Sequence, residues 1–233
     1  MTERRLHALV IGGGGDCHRD TLDATWPGWA DGVEVVVVAD GGLRLADSLG
    51  LAVDRWVGDG DSVDRQRLAA LQADGVPARL VPADKDQSDT ELALVEALEV
   101  GATEVTLVGV LGGLRVDHAI ANIGLLAHPG LVGRSARLLA DDARVSLVRA
   151  PAEDGRPIER SLPGAVGDIV SLLPFGQDVE GVTTRGLRFP LRDEPLPSGP
   201  ARGLSNVRDA AGAGVTVRRG LLLVVEVPAT LVR

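Results

Sequence analysis

The sequence predicts a two-part α/β protein. Residues 1–150 read as a Rossmann-like, mostly parallel sheet with helices on both faces, and residues 151–233 as an all-β sandwich or barrel. Three observations carry this reading. Between Leu6 and Val148, short β-branched runs (LHALVIG, VEVVVVAD, RWVGD, TEVTLVGV, ARLLA, RVSLV) alternate with amphipathic stretches. The run Val33–Ala39 is apolar almost throughout, as a strand covered on both faces must be. Beyond the Pro- and Gly-rich stretch at 150–164 no helical period is left, and DIVSLLPF, GVTT, GLRFPL, AGVTVRR and LLLVVEV read as short strands.

Taken in order, the opening strand runs into the glycine turn Gly12–Gly15, and the second strand ends at Asp40. The first clear helix takes Ser88 or Asp89 as its N-cap, continues through TELALVEALEV and stops at Gly101. A second helix is expected from about Asp117 through HAIANIGLLAH to Gly130. In the second part, RDEPLPSGPARGLSN reads as a long polar loop, and loops of that length usually carry function.

Composition excludes several classes. The balance of 24 basic and 33 acidic side chains leaves a net charge of −9, which repels nucleic-acid phosphates. Aromatic residues make up 2% of the chain, with no tyrosine, so base-stacking platforms are excluded and the core must be aliphatic. No apolar run approaches the roughly 18 residues of a membrane span. The lone Cys17 has no disulfide partner, and no signal-peptide pattern opens the chain, so a cytoplasmic location is expected. The single lysine, Lys85, follows no GxxxxGK loop, and the run Gly12–Gly15 does not fit GxGxxG, which argues against P-loop and dinucleotide chemistry.

Acids, glycines and an arginine instead gather at strand ends. Asp40, Gly41 and Gly42 close the second strand, and Asp59, Asp61 and Ser62 follow RWV. Asp84, Asp86, Ser88 and Asp89 precede the first clear helix, and Gly112, Gly113, Arg115, Asp117, His118 and Asn122 span a further strand end and helix start. Each cluster alone is also ordinary turn or cap chemistry. Together they converge on the carboxyl edge of one sheet, where ligands of open α/β folds sit. The acids there, with one arginine and no lysine counted among them, call for a divalent metal; magnesium suits oxygen ligands and bridges to substrate phosphates.

ADGG, GDGDSV, DKDQSDTELAL and GGLRVDHAIANIGLL occur in the order and approximate spacing of the thiamine pyrophosphokinase family, and GDIVSLLPF, GVTTRGLRFPL and GLSN resemble that family's thiamine-binding domain. The resemblance implies an α/β domain that binds Mg2+ and ATP, a thiamine-binding β-sandwich, and a homodimer with active sites at the subunit interface. It implies transfer of pyrophosphate from ATP to thiamine, giving thiamine diphosphate and AMP. The catalytic candidates are then Asp59, Asp61, Asp89, Arg115 and Asp117. Asp59, Asp61, Asp86 and Asp89 are the candidates for holding the metal, directly or through water, with Asp89 favoured to take the alcohol proton. Asp40, Gly41, Gly42, Ser62, Ser88, Gly112, Gly113, His118 and Asn122 would bind the nucleotide, and Ser205 and Asn206 the acceptor. The sequence departs from the family pattern at Gly60, Leu114 and Val207, and no tryptophan lies in the second part. The alternatives are another hydroxymethyl heterocycle such as a pterin as acceptor, or a non-catalytic nucleotide or thiamine sensor.

Overall fold

A computed structural model describes residues 5–15 and 17–231. The chain divides into two compact units, residues 1–141 and 142–233.

The first unit alternates strand and helix: β1 (His7–Ile11), α1 (Arg19–Thr25), β2 (Val33–Ala39), α2 (Leu43–Ser48), β3 (Arg55–Gly58), α3 (Arg65–Ala73), β4 (Ala78–Leu80), α4 (Asp89–Glu99), β5 (Glu104–Val108), α5 (Val116–Gly124) and β6 (Ser135–Leu139). Its strands lie in the order β6-β5-β1-β2-β3-β4 and every pair is parallel. Leu9, Ile11, Val36 and Val38 pack with Leu22, Leu43, Leu45, Leu68 and Leu71 of α1, α2 and α3 and with Leu49 just after α2. The alternate set Ala8, Val10 and Val37 is equally buried, and α4 lies against β1, β2 and β3. Both faces are therefore covered, which is why the strands are apolar throughout. Chain order reverses between β1 and β5, and the turns after those two strands open one crevice.

The second unit is built from β7 (Arg144–Ala150), β8 (Ile158–Ser161), β9 (Ile169–Pro174), β10 (Val179–Arg185), β11 (Glu194–Leu196), β12 (Asn206–Val207), β13 (Gly214–Val217) and β14 (Gly220–Val227). Two antiparallel sheets, β12-β9-β14-β7 and β11-β10-β13-β8, share a core in which Val148, Leu172, Leu222 and Val224 meet Val179, Val182, Val215 and Val217. This is the expected sandwich.

Three details differ from the sequence reading. RVSLV belongs with the second unit, because β7 pairs with β14 along its whole length, so the division falls ahead of the Pro-rich stretch. The helix expected to reach Gly130 ends at Gly124 and continues as two single 3-10 turns, the second begun by Pro129 and capped by the His128 ring. GLRFPL is not a strand: Pro190 has no N–H to give, and the backbone N–H and C=O of Phe189 are both taken by the Asn206 side chain, at 3.0 and 2.7 Å. No helix of the described residues is long and apolar enough to cross a membrane.

Candidate active site

A 480 Å³ cavity opens at the carboxyl edge of the parallel sheet, lined from four strand ends. Gly13 and Gly14 follow β1, Asp40 and Gly41 follow β2, Asp59 and Ser62 follow β3, and Gly112, Gly113 and Arg115 lie beyond β5. The segment entering α4 adds Lys85, Gln87, Ser88, Asp89 and Thr90, and α5 adds His118 and Asn122.

Local chemistry fixes the acids. Asp40 is buried, in a 3-10 turn with φ 36°, a left-handed conformation that aspartate adopts at a cost. The turn is held from below by the buried Trp56, whose Nε1 donates to the Asp40 carbonyl at 3.0 Å, and from the side by the Gly60 N–H, which donates to Oδ1 at 3.0 Å. Position 58 must be glycine here, because a Cβ would stand 2.7 Å from that of Asp40. Burial pushes the Asp40 carboxyl above its ordinary value, and the charges of Asp89, Asp59 and Asp61 add to the shift against the Gly60 hydrogen bond. Asp59 moves the other way: the Asp61 N–H donates to its Oδ1 at 3.1 Å and holds its pKa down. Ser88 caps α4 through its hydroxyl, which accepts from the Glu91 N–H at 3.1 Å, and this places Asp89 in the first helical turn.

Asp40, Asp59 and Asp89 thereby each offer a carboxylate oxygen, all within 4.8 Å of one another. Asp89 Oδ1 is buried and accepts no aligned hydrogen bond; its charge partner is the Lys85 ammonium at 3.1 Å. Three carboxylate oxygens this close to one another fit a small hard cation. Of the four residues expected to hold metal, Asp59 and Asp89 are in this group, and Asp40 stands with them. Asp61 and Asp86 are exposed and outside it. Asp61 contributes its backbone N–H to Asp59 and its carboxylate to the Ser62 hydroxyl at 2.6 Å.

Lys85 corrects the lysine-free pocket expected from sequence. Its Nζ lies 3.4 Å from Asp59 and 3.1 Å from Asp89. Desolvation alone would lower its pKa, but the two carboxylates outweigh that and raise it. Arg115 lines the cavity, with its exposed guanidinium forked onto Asp117, Nη2 to Oδ2 at 2.6 Å, which holds the Asp117 carboxyl far below the usual range. Asp117 itself is not a lining residue. Gly42 is buried behind the wall, where a Cβ would meet the Ile11 carbonyl, and Asn122 braces the site by donating to the Val110 carbonyl at 2.9 Å.

In the second unit, Ser205 adopts φ 55° and Asn206 is buried, its amide spent on Phe189 and its Oδ1 also on the Val207 N–H at 2.8 Å. Asn206 thus shapes its loop, leaving Phe189, Leu204 and Ser205 exposed.

The sequence pattern of the thiamin pyrophosphokinase catalytic domain matches residues 29–138, and that of the vitamin B1 binding domain of the same enzymes matches residues 158–222. The chain belongs to the thiamin pyrophosphokinase family. A thiamine pyrophosphokinase of Bacillus subtilis is 25% identical over 189 residues, covering 81% of this chain and 85% of that one. Among solved structures, the thiamine pyrophosphokinase from Bacillus subtilis superposes with a TM-score of 0.79 at 22% identity, covering 95% of this chain and 99% of that chain. The thiamin pyrophosphokinase from Geobacillus thermodenitrificans gives 0.74 at 22% identity, covering 95% and 97%. The yeast enzyme gives 0.73 at 17% identity, covering 98% and 88%. The fold is that of thiamin pyrophosphokinases, a parallel-sheet unit and an antiparallel β unit, and the acids of the cavity, Asp40, Asp59 and Asp89, lie within the part matched by their catalytic domain.

Proposed function

We propose that this chain transfers pyrophosphate from ATP to the hydroxyl of thiamine, giving thiamine diphosphate and AMP. The observation that carries the reading is the presence in one chain of both family domains, the catalytic pattern over the acid cavity and the vitamin B1 pattern over the unit that exposes Phe189, Leu204 and Ser205. The second match favours thiamine over another hydroxymethyl heterocycle, and the catalytic match favours an enzyme over a sensor.

The thiamine hydroxyl attacks the β-phosphorus, the bond from that phosphorus to the α,β-bridging oxygen breaks, and AMP leaves with the bridging oxygen. Gly13, Gly14, Gly112 and Gly113 line the cavity without side chains to hold phosphate away. Arg115 supplies a planar fork for phosphate oxygens, and its present partner Asp117 is an exposed one that an anionic substrate outcompetes. Asp40, Asp59 and Asp89 would hold Mg2+, which when bound neutralises charge on the transferring phosphates. Asp89 is our candidate for receiving the hydroxyl proton; a carboxylate is a weak base, so positioning carries most of the rate.

We further propose a homodimer with its active sites at the subunit interface. Leu114, Val116 and Ile120 are exposed at the start of α5, beside the cavity, and form an apolar face that a second copy would cover. A cytoplasmic location fits the ATP requirement and the lone cysteine.

The test is to incubate the protein with thiamine, ATP and Mg2+ and separate the products. AMP and thiamine diphosphate in equal amounts are expected, and Asp59→Asn should lower the rate at least about a hundredfold. ADP with thiamine monophosphate, or turnover of a hydroxymethylpterin in preference to thiamine, overturns the proposal.

A further inference from the structure

Lys85 is the chain's single lysine, and the fold places its half-buried side chain between two of the three clustered acids. No ion pair of the described residues reaches Asp40, so one ammonium faces three carboxylates. That arrangement is incomplete by charge, yet it gives a cation to Asp59 and Asp89, two of the three acids that would hold a metal. We propose that Lys85 is the resident counter-ion of the acid triad, and that a divalent cation enters by displacing its ammonium from Asp59 and Asp89.

Two consequences follow from the geometry. Without metal, Lys85 restrains carboxylates that would otherwise repel one another, keeping the site assembled. With metal, the ammonium loses both partners but remains tethered at the entrance to α4, in a cavity that Arg115 also lines. An anionic polyphosphate then finds a lysine charge that was unavailable before, so cation and nucleotide favour each other's binding. Lys85 is therefore a positioning residue that couples the two.

The inference rests on the cation reading above, and calorimetric titration of the metal-free protein with MnCl2 alone separates the two. Lys85→Gln removes the competing charge and should bind Mn2+ about tenfold more tightly than wild type, or more, because a unit charge about 3 Å from two ligands is lost. Lys85→Arg restores a cation and should return the affinity toward the wild-type value. In thermal unfolding, Lys85→Gln should melt below wild type in EDTA and close the gap in Mn2+. Unchanged or weakened Mn2+ affinity in Lys85→Gln, or a melting deficit that Mn2+ does not repair, leaves the cation site standing and overturns the role of Lys85. Absence of Mn2+ binding in both wild type and Lys85→Gln overturns the cation reading itself.

Discussion

The two units each hold a cluster of charges, and the clusters are built on opposite plans. In the β unit, Arg208 is 1% exposed and its N–H groups reach Asp168 and Glu226 at 2.6 and 2.8 Å and the carbonyls of Leu162, Pro163 and Ala165 at 3.2 to 3.4 Å. Arg144 completes the set by pairing with the other oxygen of Glu226 at 2.8 Å. Two cations meet two anions, and every Arg208 donor is used. In the α/β unit, three carboxylates cluster around one lysine that pairs with only two of them, and a buried oxygen of Asp89 lacks an aligned donor. A balanced and saturated cluster has nothing left to bind and serves as scaffold. An unbalanced one stores an affinity, at some expense to stability.

The largest effect that sharpens this contrast is expected at Arg208. Arg208→Met leaves Asp168 and Glu226 without their shared partner and should lower stability by about 3–5 kcal/mol in urea denaturation followed by circular dichroism. A loss below about 1 kcal/mol would break the comparison by showing that the buried network is dispensable.

A smaller change of opposite sign is expected at Asp40. Its carboxyl is held above the ordinary range, so the folded chain binds this proton at higher pH than the unfolded chain does. The stability of wild type relative to Asp40→Asn therefore falls as pH rises through the window between the ordinary and the raised value, and stays lower above it. In EDTA near pH 7, Asp40→Asn should be the more stable protein while losing cation affinity, and the stability gap should close on acidification below the ordinary carboxylate value. A destabilised Asp40→Asn at neutral pH would place Asp40 with the scaffold charges instead.

The smallest stability effect belongs to the exposed pair. Arg115→Lys should change stability by no more than about 0.5 kcal/mol, yet lower turnover roughly tenfold, because a point charge cannot reproduce a bidentate fork. Full activity in this variant would mean that the departure from the family pattern at Leu114 carries the arginine away from the phosphates.

Periodicity made the parallel strands and the capped helix α4 readable from sequence, since burial on both faces and a Ser88 cap are local properties. The convergence of Asp59, Asp89 and Arg115 on one cavity followed from their positions at strand ends. What stayed hidden depended on contacts between distant residues. Asp40 joins Asp59 and Asp89 through a left-handed turn braced by Trp56, which no local motif announces. Asp61 looks equivalent to Asp59 in GDGDS, and only the direction of the turn separates the carboxylate that faces the cavity from the one that faces solvent. Phe189 is kept out of a strand by an amide 17 residues away, and the partners of Arg208 lie 40 and 18 residues away along the chain.

The bracing of Asp40 by Trp56 also gives the molecule an optical property. With no tyrosine, and with Trp26, Trp29 and Trp56 all in the first unit, near-ultraviolet absorption and emission come almost wholly from the α/β unit. Trp56 is the indole hydrogen-bonded beneath the acid triad, so its emission senses the charge above it. The chain carries an intrinsic fluorophore under its own candidate cation site, while the β-sandwich is nearly dark.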